Sequence, residues 1–165
     1  MPIVPKGKPL VKKPTTATAG YSGTPLAEKL GQKPAQRALL VAVPEELAPH
    51  IKVTKFAEVR EASAVNTKTP KGPFDYAHIF TAKRATLAKS LPLLKERLAP
   101  DGMIWVSWPK KAAKLETDIT EDTIREVCLP LGLVDVKVCA IDDTWSGLKL
   151  MIRKEQRASQ TKKGK

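Results

Sequence analysis

The segment RALLVAV, apolar at every position after Arg37, occupies residues 37–43 and ends at Pro44. A seven-residue segment of this kind, bounded by chain breakers, is typical of a strand that is buried on both faces of a parallel sheet. Ahead of this strand, residues 25–30 predict a short helix, with Thr24 as its N-cap and Gly31 as its end.

The pattern is weaker after this first strand. Residues 45–48 predict one helical turn, and residues 51–56 predict a second strand. Residues 59–72 are mostly polar and run into the breaker-rich sequence TPKGP, which predicts a loop.

Strands and helices alternate clearly in the second half of the chain. A helix there is capped by Thr120, carries Glu121 and Asp122 in its first turn, and ends at Gly132. The other predicted elements are a strand at 74–81, a helix at 83–98, a strand at 103–108, and two final strands at 134–141 and 148–153. A short loop joins the last two strands, so we expect them to pair antiparallel.

This order of elements predicts an α/β fold of the Rossmann-like type. Its sheet is mostly parallel, with right-handed crossovers, and a C-terminal hairpin contributes one antiparallel strand near the edge. A length of 165 residues fits one domain, which we place at residues 20–155. The flanking segments, residues 1–19 and 156–165, have the composition of disordered basic tails.

The net charge of +12 is concentrated in these two tails. Each tail holds four basic residues and no acidic one, which leaves +4 for residues 20–155. Such tails either keep a protein soluble or contact nucleic acid weakly, without regard to sequence. No apolar run is long enough to span a membrane, and the two cysteines lack the spacing of a redox or metal motif, so we expect a cytoplasmic protein.

Two longer segments resemble known families. LAPDGMIWVSWPKK, a helix, and then LGLVDVKVCAIDDTWSGLKLMIRK are similar to the second half of class I S-adenosylmethionine methyltransferases. GYSGTPLAEKLG, WVSWPKK and DDTWSGLKL resemble a bacterial family catalogued as domain of unknown function 3052, over residues 20–154. The resemblance implies a methyltransferase-like fold, but it supplies no established activity and no catalytic residue.

The first strand departs from the methyltransferase pattern. That family has a glycine-rich turn after the first strand, where backbone N–H groups approach the cofactor. Here LLVAVPEEL contains no glycine, and Pro44 removes one N–H group. Glu58 is the only candidate for the carboxylate that would hold the ribose at the end of the second strand. We therefore predict no bound cofactor.

The carboxyl ends of the strands offer one candidate site. Open α/β sheets bind their ligands at this edge, and the loops after residues 108 and 141 would meet there. The resulting carboxyl rim consists of Trp108, Lys110, Lys111, Asp142, Asp143, Trp145 and Ser146. It could hold a small anion or a phosphorylated ligand. The alternative is structural: both tryptophans pack, and one of the two lysines pairs with one of the two aspartates.

Catalytic and metal motifs give no support to an enzyme. His78 lies inside a predicted strand without a second zinc ligand at the usual spacing, and Ser107 has no histidine at a recognisable spacing. We therefore interpret the chain as an uncharacterised, non-catalytic Rossmann-like module with a ligand- or partner-binding rim. The alternatives are a degenerate S-adenosylmethionine-dependent methyltransferase and a nucleic-acid-associated accessory protein that acts through its tails.

Overall fold

Six strands form one mixed sheet in the computed structural model, which describes residues 25–158. In chain order they are β1 (Arg37–Val41), β2 (Glu58–Ala62), β3 (Phe74–Phe80), β4 (Leu98–Pro109), β5 (Leu133–Ala140) and β6 (Trp145–Ile152). Their spatial order is β2-β1-β3-β4-β6-β5. The first four strands run parallel, and β6 is antiparallel to both of its neighbours. The predicted Rossmann-like sheet with a C-terminal hairpin is confirmed.

Helices cover both faces of this sheet. They are α1 (Leu26–Lys29), α2 (Ala48–Ile51), α3 (Arg84–Glu96) and α4 (Glu121–Cys128). Leu30, Leu47 and Ile51, at or beside α1 and α2, pack in one buried cluster with Tyr76 and Trp105 of the sheet. The second cluster joins the leucines of α3 and Ile124 of α4 to the other side of the sheet. We call these sides the α1 face and the α3 face.

The helix boundaries follow their local signals. The Thr120 hydroxyl accepts a hydrogen bond from the Thr123 amide at 3.2 Å, as an N-cap does. Gly31 and Gly132 end their helical segments with φ of 76° and 86°, in the left-handed region that favours glycine. Pro25 is the N-cap of α1 rather than its first helical residue, and Thr24 lies outside the described residues.

The predicted second strand is wrong. Residues 51–56 contain the end of α2 and a loop, whereas β2 lies at Glu58–Ala62, inside the predicted polar loop. β2 is an edge strand, paired only with β1, and its three central residues are exposed. Because consecutive side chains point to opposite faces, both faces of β2 meet solvent at its centre, and EVREA carries no hydrophobic pattern.

β4 begins earlier than predicted because it includes the sequence APDG, residues 99–102. Phe74 of β3 pairs with Leu98, but Tyr76, two residues on, pairs with Met103. The three extra residues of β4 form an irregularity within the strand, so the predicted turn at residues 99–102 is a bulge. β5 and β6 pair antiparallel as expected, and β6 begins at Trp145.

The predicted tails lie mostly outside the described residues. Residues 156–158 are described, and there Arg157 Nε donates a hydrogen bond to the Ile152 carbonyl at 3.1 Å, so this short part folds back on β6. Among residues 25–158, no helix is long and apolar enough to cross a membrane. Cys128 and Cys139 are free and buried, and they lie on opposite faces of the sheet.

Candidate functional site

The two loops of the predicted carboxyl rim do lie side by side. β4 and β5 end at the same edge of the sheet, and β6 begins between them. Trp108 pairs with Ser146, and Pro109 pairs with Trp145. The Lys110 amide donates a hydrogen bond to the Thr144 carbonyl at 2.8 Å. The backbone therefore brings together the segments that hold all seven rim residues.

The two rim tryptophans occupy opposite faces of the sheet. Trp108 is only 7% exposed and belongs to the apolar cluster of the α3 face. Trp145 packs against the cluster of the α1 face, edge-to-face with Phe80 at a centroid distance of 5.2 Å. Because the sheet separates these rings, they cannot bind one ligand between them.

The predicted salt bridge across the rim is wrong. Asp142 Oδ1 accepts hydrogen bonds from the Thr144 and Trp145 amides, both at 2.8 Å. Its carboxylate is therefore used to close its own turn, in the manner of an Asx turn. Among the described residues, neither Lys110 nor Lys111 forms an ion pair with Asp142 or Asp143. Asp143 and Lys111 are exposed, whereas Lys110 and Ser146 are half-buried.

The turn after β1 does not fit S-adenosylmethionine. Ala42 follows β1 with a φ of 56°, and its amide donates to the Ala62 carbonyl of β2 at 2.8 Å. Pro44 has no N–H group, and its carbonyl accepts from the Leu47 amide at 3.0 Å. Of the backbone donors near the end of β1, one is thus bound to β2 and another is missing. A cofactor that approaches the backbone closely at this turn needs such donors free.

The candidate ribose carboxylate also lies in the wrong place. Glu58 is the first residue of β2, at the amino end of the strand, where it pairs with Arg60 at 2.7 Å. Glu61 lies one residue before the carboxyl end and pairs with Lys52 at 3.1 Å. Both carboxylates have a basic partner from this chain. Of the two, only Glu61 lies near the carboxyl end of β2, where the ribose carboxylate was expected.

A buried polar chain links β3 and β4 on the α1 face. The Tyr76 hydroxyl lies 2.9 Å from His78 Nδ1, and His78 Nε2 lies 2.7 Å from Ser107 Oγ. None of these three side chains reaches solvent. Burial lowers the pKa of His78 to about 3, so the imidazole is neutral, and it raises the pKa of Tyr76.

Ser107 therefore has a histidine that sequence spacing did not reveal. The two residues are 29 positions apart, and the parallel pairing of β3 with β4 brings them together. A serine beside a neutral imidazole is the arrangement of a nucleophile and its base. With both side chains fully buried, this pair has no access to a substrate in the structure, and it satisfies polar groups inside the core instead.

Aromatic rings enclose His78. Phe80 stacks on the imidazole at 4.4 Å, and Trp105 lies 6.4 Å away. Trp105 Nε1 donates a hydrogen bond to the Leu30 carbonyl at 2.8 Å and so fixes the end of α1 against the sheet. Nearby, Gln32 Oε1 accepts from the Thr54 hydroxyl at 2.8 Å, but its Nε2 is buried and has no hydrogen-bond partner among the described residues.

Several solved structures that are similar to this chain are methyltransferases. The chain is similar to the B. subtilis tRNA methyltransferase TrmK, with 11% identity and a TM-score of 0.51 over 81% of this chain and 68% of that one. It is also similar to a SAM-dependent methyltransferase from Aquifex aeolicus, with 15% identity and a TM-score of 0.50 over 77% and 87% of the two chains. A third similar structure is the CcbJ methyltransferase from Streptomyces caelestis, with 8% identity and a TM-score of 0.51 over 78% and 87%.

The sequence alone adds nothing to this likeness. No family model matches the chain, and no curated protein matches it. At 15% identity or less, the structural likeness establishes the fold and nothing finer. The chain has the Rossmann-like fold of class I S-adenosylmethionine-dependent methyltransferases.

Proposed function

We propose that this protein is a degenerate methyltransferase: a protein that keeps the methyltransferase sheet but has lost the cofactor-binding turn and transfers no methyl group. Its carboxyl rim then serves to bind a ligand or partner. The observation that carries this proposal is the turn after β1, where Pro44 supplies no donor and the Ala42 amide is bound to β2. The similar solved methyltransferases support the methyltransferase origin of the sheet, and the turn after β1 supports the loss of cofactor binding.

The direct test is binding of S-adenosylmethionine and of its demethylated product to the full chain. A ligand present at 100 times its Kd stabilises a protein by about 2.7 kcal/mol. In a domain of this size, that energy raises the Tm by several degrees. We expect no shift at millimolar concentration of either compound, and no heat in titration calorimetry. A micromolar site in calorimetry would refute the proposal.

The second candidate is an active methyltransferase with an unusual turn, and one observation favours it. Ala42 has a φ of 56°, a left-handed backbone that normally requires glycine. The turn thus has the backbone bend that a glycine there would give, although it lacks the glycine. Binding of S-adenosylmethionine in the calorimetric test would support this candidate, and methyl transfer from a labelled cofactor would then be the next measurement.

The rim can be tested with a matched pair of lysines. If a nucleotide or another anion raises the Tm of the full chain, Lys110→Ala should abolish that shift, because Lys110 lies at the meeting point of the two loops. Lys114→Ala removes the same charge four residues further along, at an exposed position, and should leave the shift unchanged. Equal effects of the two substitutions would argue against a rim site.

We also infer that the chain belongs to the family catalogued as domain of unknown function 3052. The support is the three segments GYSGTPLAEKLG, WVSWPKK and DDTWSGLKL. A cytoplasmic location remains part of this proposal and is supported by two buried, free cysteines. Binding of nucleic acid by the tails remains a prediction.

A further inference from the structure

Four lysines lie on or beside the α1 face of the C-terminal hairpin. This lysine face consists of Lys33, in the loop after α1, Lys110, in the loop after β4, and Lys137 and Lys149 of the hairpin itself. Lys137 of β5 pairs directly with Lys149 of β6, and Lys137 Nζ lies 3.5 Å from the Lys29 carbonyl oxygen. Burial raises the pKa of the Cys139 thiol, and the charges of Lys29, Lys137 and Lys110 only partly oppose that rise.

This arrangement costs stability. Like charges that lie directly opposite on antiparallel strands repel each other. Burial lowers the pKa of Lys149, and the charges of Lys137 and Lys33 lower it further. None of the ion pairs among residues 25–158 includes Lys33, Lys110, Lys137 or Lys149. A folded surface that concentrates uncompensated positive charge is complementary to an external polyanion.

Three carboxylates of the C-terminal half have a basic partner on the other face of the sheet. Glu121, Asp122 and Asp135 all bind the Arg125 guanidinium, each at 3.0 Å. Arg125 belongs to α4, which packs on the α3 face. Within residues 25–158, an ion-paired cluster therefore lies on one face of the sheet, and Lys137 and Lys149, which belong to no ion pair there, lie on the other.

Two further features favour nucleic acid as the polyanion. Trp145 lies on the same side of β6 as Lys149, four residues away, and is partly exposed at the carboxyl edge. An aromatic ring beside a row of cations is the combination that binds single strands, because bases stack on the ring while lysines contact phosphates. The chain also enters α1 from residues 1–24, which hold four lysines and no acidic residue.

We propose that the lysine face binds the phosphate backbone of single-stranded nucleic acid, with Trp145 as a stacking position at its edge. Binding is independent of sequence, since lysines recognise phosphate and a tryptophan ring accepts any base. The folded domain thus contributes an interaction surface of its own, in addition to the charge of the tails.

The test is fluorescence anisotropy of labelled 20-nucleotide oligo(dT) and oligo(U) with the full chain, between 25 and 200 mM salt. Neutralising Lys33, Lys137 and Lys149 together with Lys→Gln substitutions should raise the Kd at least tenfold at 50 mM salt. Loss of three phosphate contacts should also reduce the slope of log K against log salt by about 2, at ~0.7 per contact. The Tm should stay the same or rise, because the substitutions remove repulsion.

A matched triple variant provides the control. The control removes the same charge from three exposed positions in the loop before β3 and in the first half of α3 or just before it, by the substitutions Lys68→Gln, Lys83→Gln and Lys89→Gln. We expect this control to change the Kd less than threefold. Equal effects of the two triples, or tighter binding to phosphatidylserine vesicles than to either oligonucleotide, would overturn the proposal. If the first triple does not fold, the single substitution Lys137→Gln at an exposed position must still weaken binding several-fold.

Discussion

Acid should destabilise this protein through a single buried histidine. His78 is fully buried between the Tyr76 hydroxyl and Ser107 Oγ, and burial lowers its pKa from 6.5 to about 3. In the unfolded chain the same imidazole titrates near 6.5. Between pH 6.5 and pH 3 the unfolded state therefore binds one more proton than the folded state. Stability is complete above pH 6.5 and is lost as the pH falls towards 3.

The size of the effect follows from the two pKa values. Between pH 7.5 and pH 5.0, protonation of the unfolded chain alone should lower the free energy of unfolding by about 2 kcal/mol. For a domain of this length, that loss corresponds to roughly 6–8 °C in Tm. Urea denaturation followed by tryptophan fluorescence, at several pH values in this range, measures the slope directly.

Variants at the two histidines isolate this contribution. His78→Gln should lower stability at every pH, because it loses ring packing against Phe80, but it should remove the 2 kcal/mol pH dependence. His50→Gln, at an exposed position in α2, should leave that dependence intact. A dependence of stability on pH that survives in His78→Gln or disappears in His50→Gln would contradict this role of His78.

Other substitutions test the turns and the buried hydroxyl. Asp142→Ala should cost about 1–2 kcal/mol, since two amides lose their acceptor, whereas exposed Asp143→Ala should cost under about 0.5 kcal/mol in the same urea assay. Ala42→Gly should raise the free energy of unfolding by about 0.5–1 kcal/mol because it relieves a left-handed φ. The control Ala57→Gly should lower it by a similar amount. Melting curves that rank the two variants the other way would contradict this prediction. Burial raises the pKa of Tyr76, so stability should fall as the pH rises above about 10, and Tyr76→Phe should weaken that dependence in alkaline melting curves.

The central strands and capped helices could be predicted because their causes are local. β1 is apolar because both of its faces are buried: Leu39 and Val41 join the cluster of the α3 face, and Leu40 joins that of the α1 face. Thr120 caps α4 through a hydrogen bond to a residue three positions away. β2 could not be predicted in the same way. Its exposed central residues leave EVREA without periodicity, and only its pairing with β1 makes it a strand.

The candidate site, too, could be predicted only in part from the sequence. Topology alone placed the loops after β4 and β5 side by side, and the hydrogen bond from Lys110 to Thr144 agrees. The face on which each side chain lies depends on the register, and a shift of one residue reverses it. Trp108 and Trp145 consequently lie on opposite faces. The pairing of Ser107 with His78 depends on register in the same way.

The fold does not depend on the turn that a cofactor would need. A glycine-rich turn in a Rossmann-like sheet serves the ligand, because it lets backbone donors approach it, and contributes little to packing. Here the sheet is held by the two apolar clusters, by the buried chain from Tyr76 to Ser107, and by Trp105, which fixes the end of α1. A turn without glycine is therefore compatible with this architecture. Lys137 and Lys149 of the lysine face lie on the hairpin, at the opposite end of the strand order from β1 and β2, so their charges do not depend on the turn after β1.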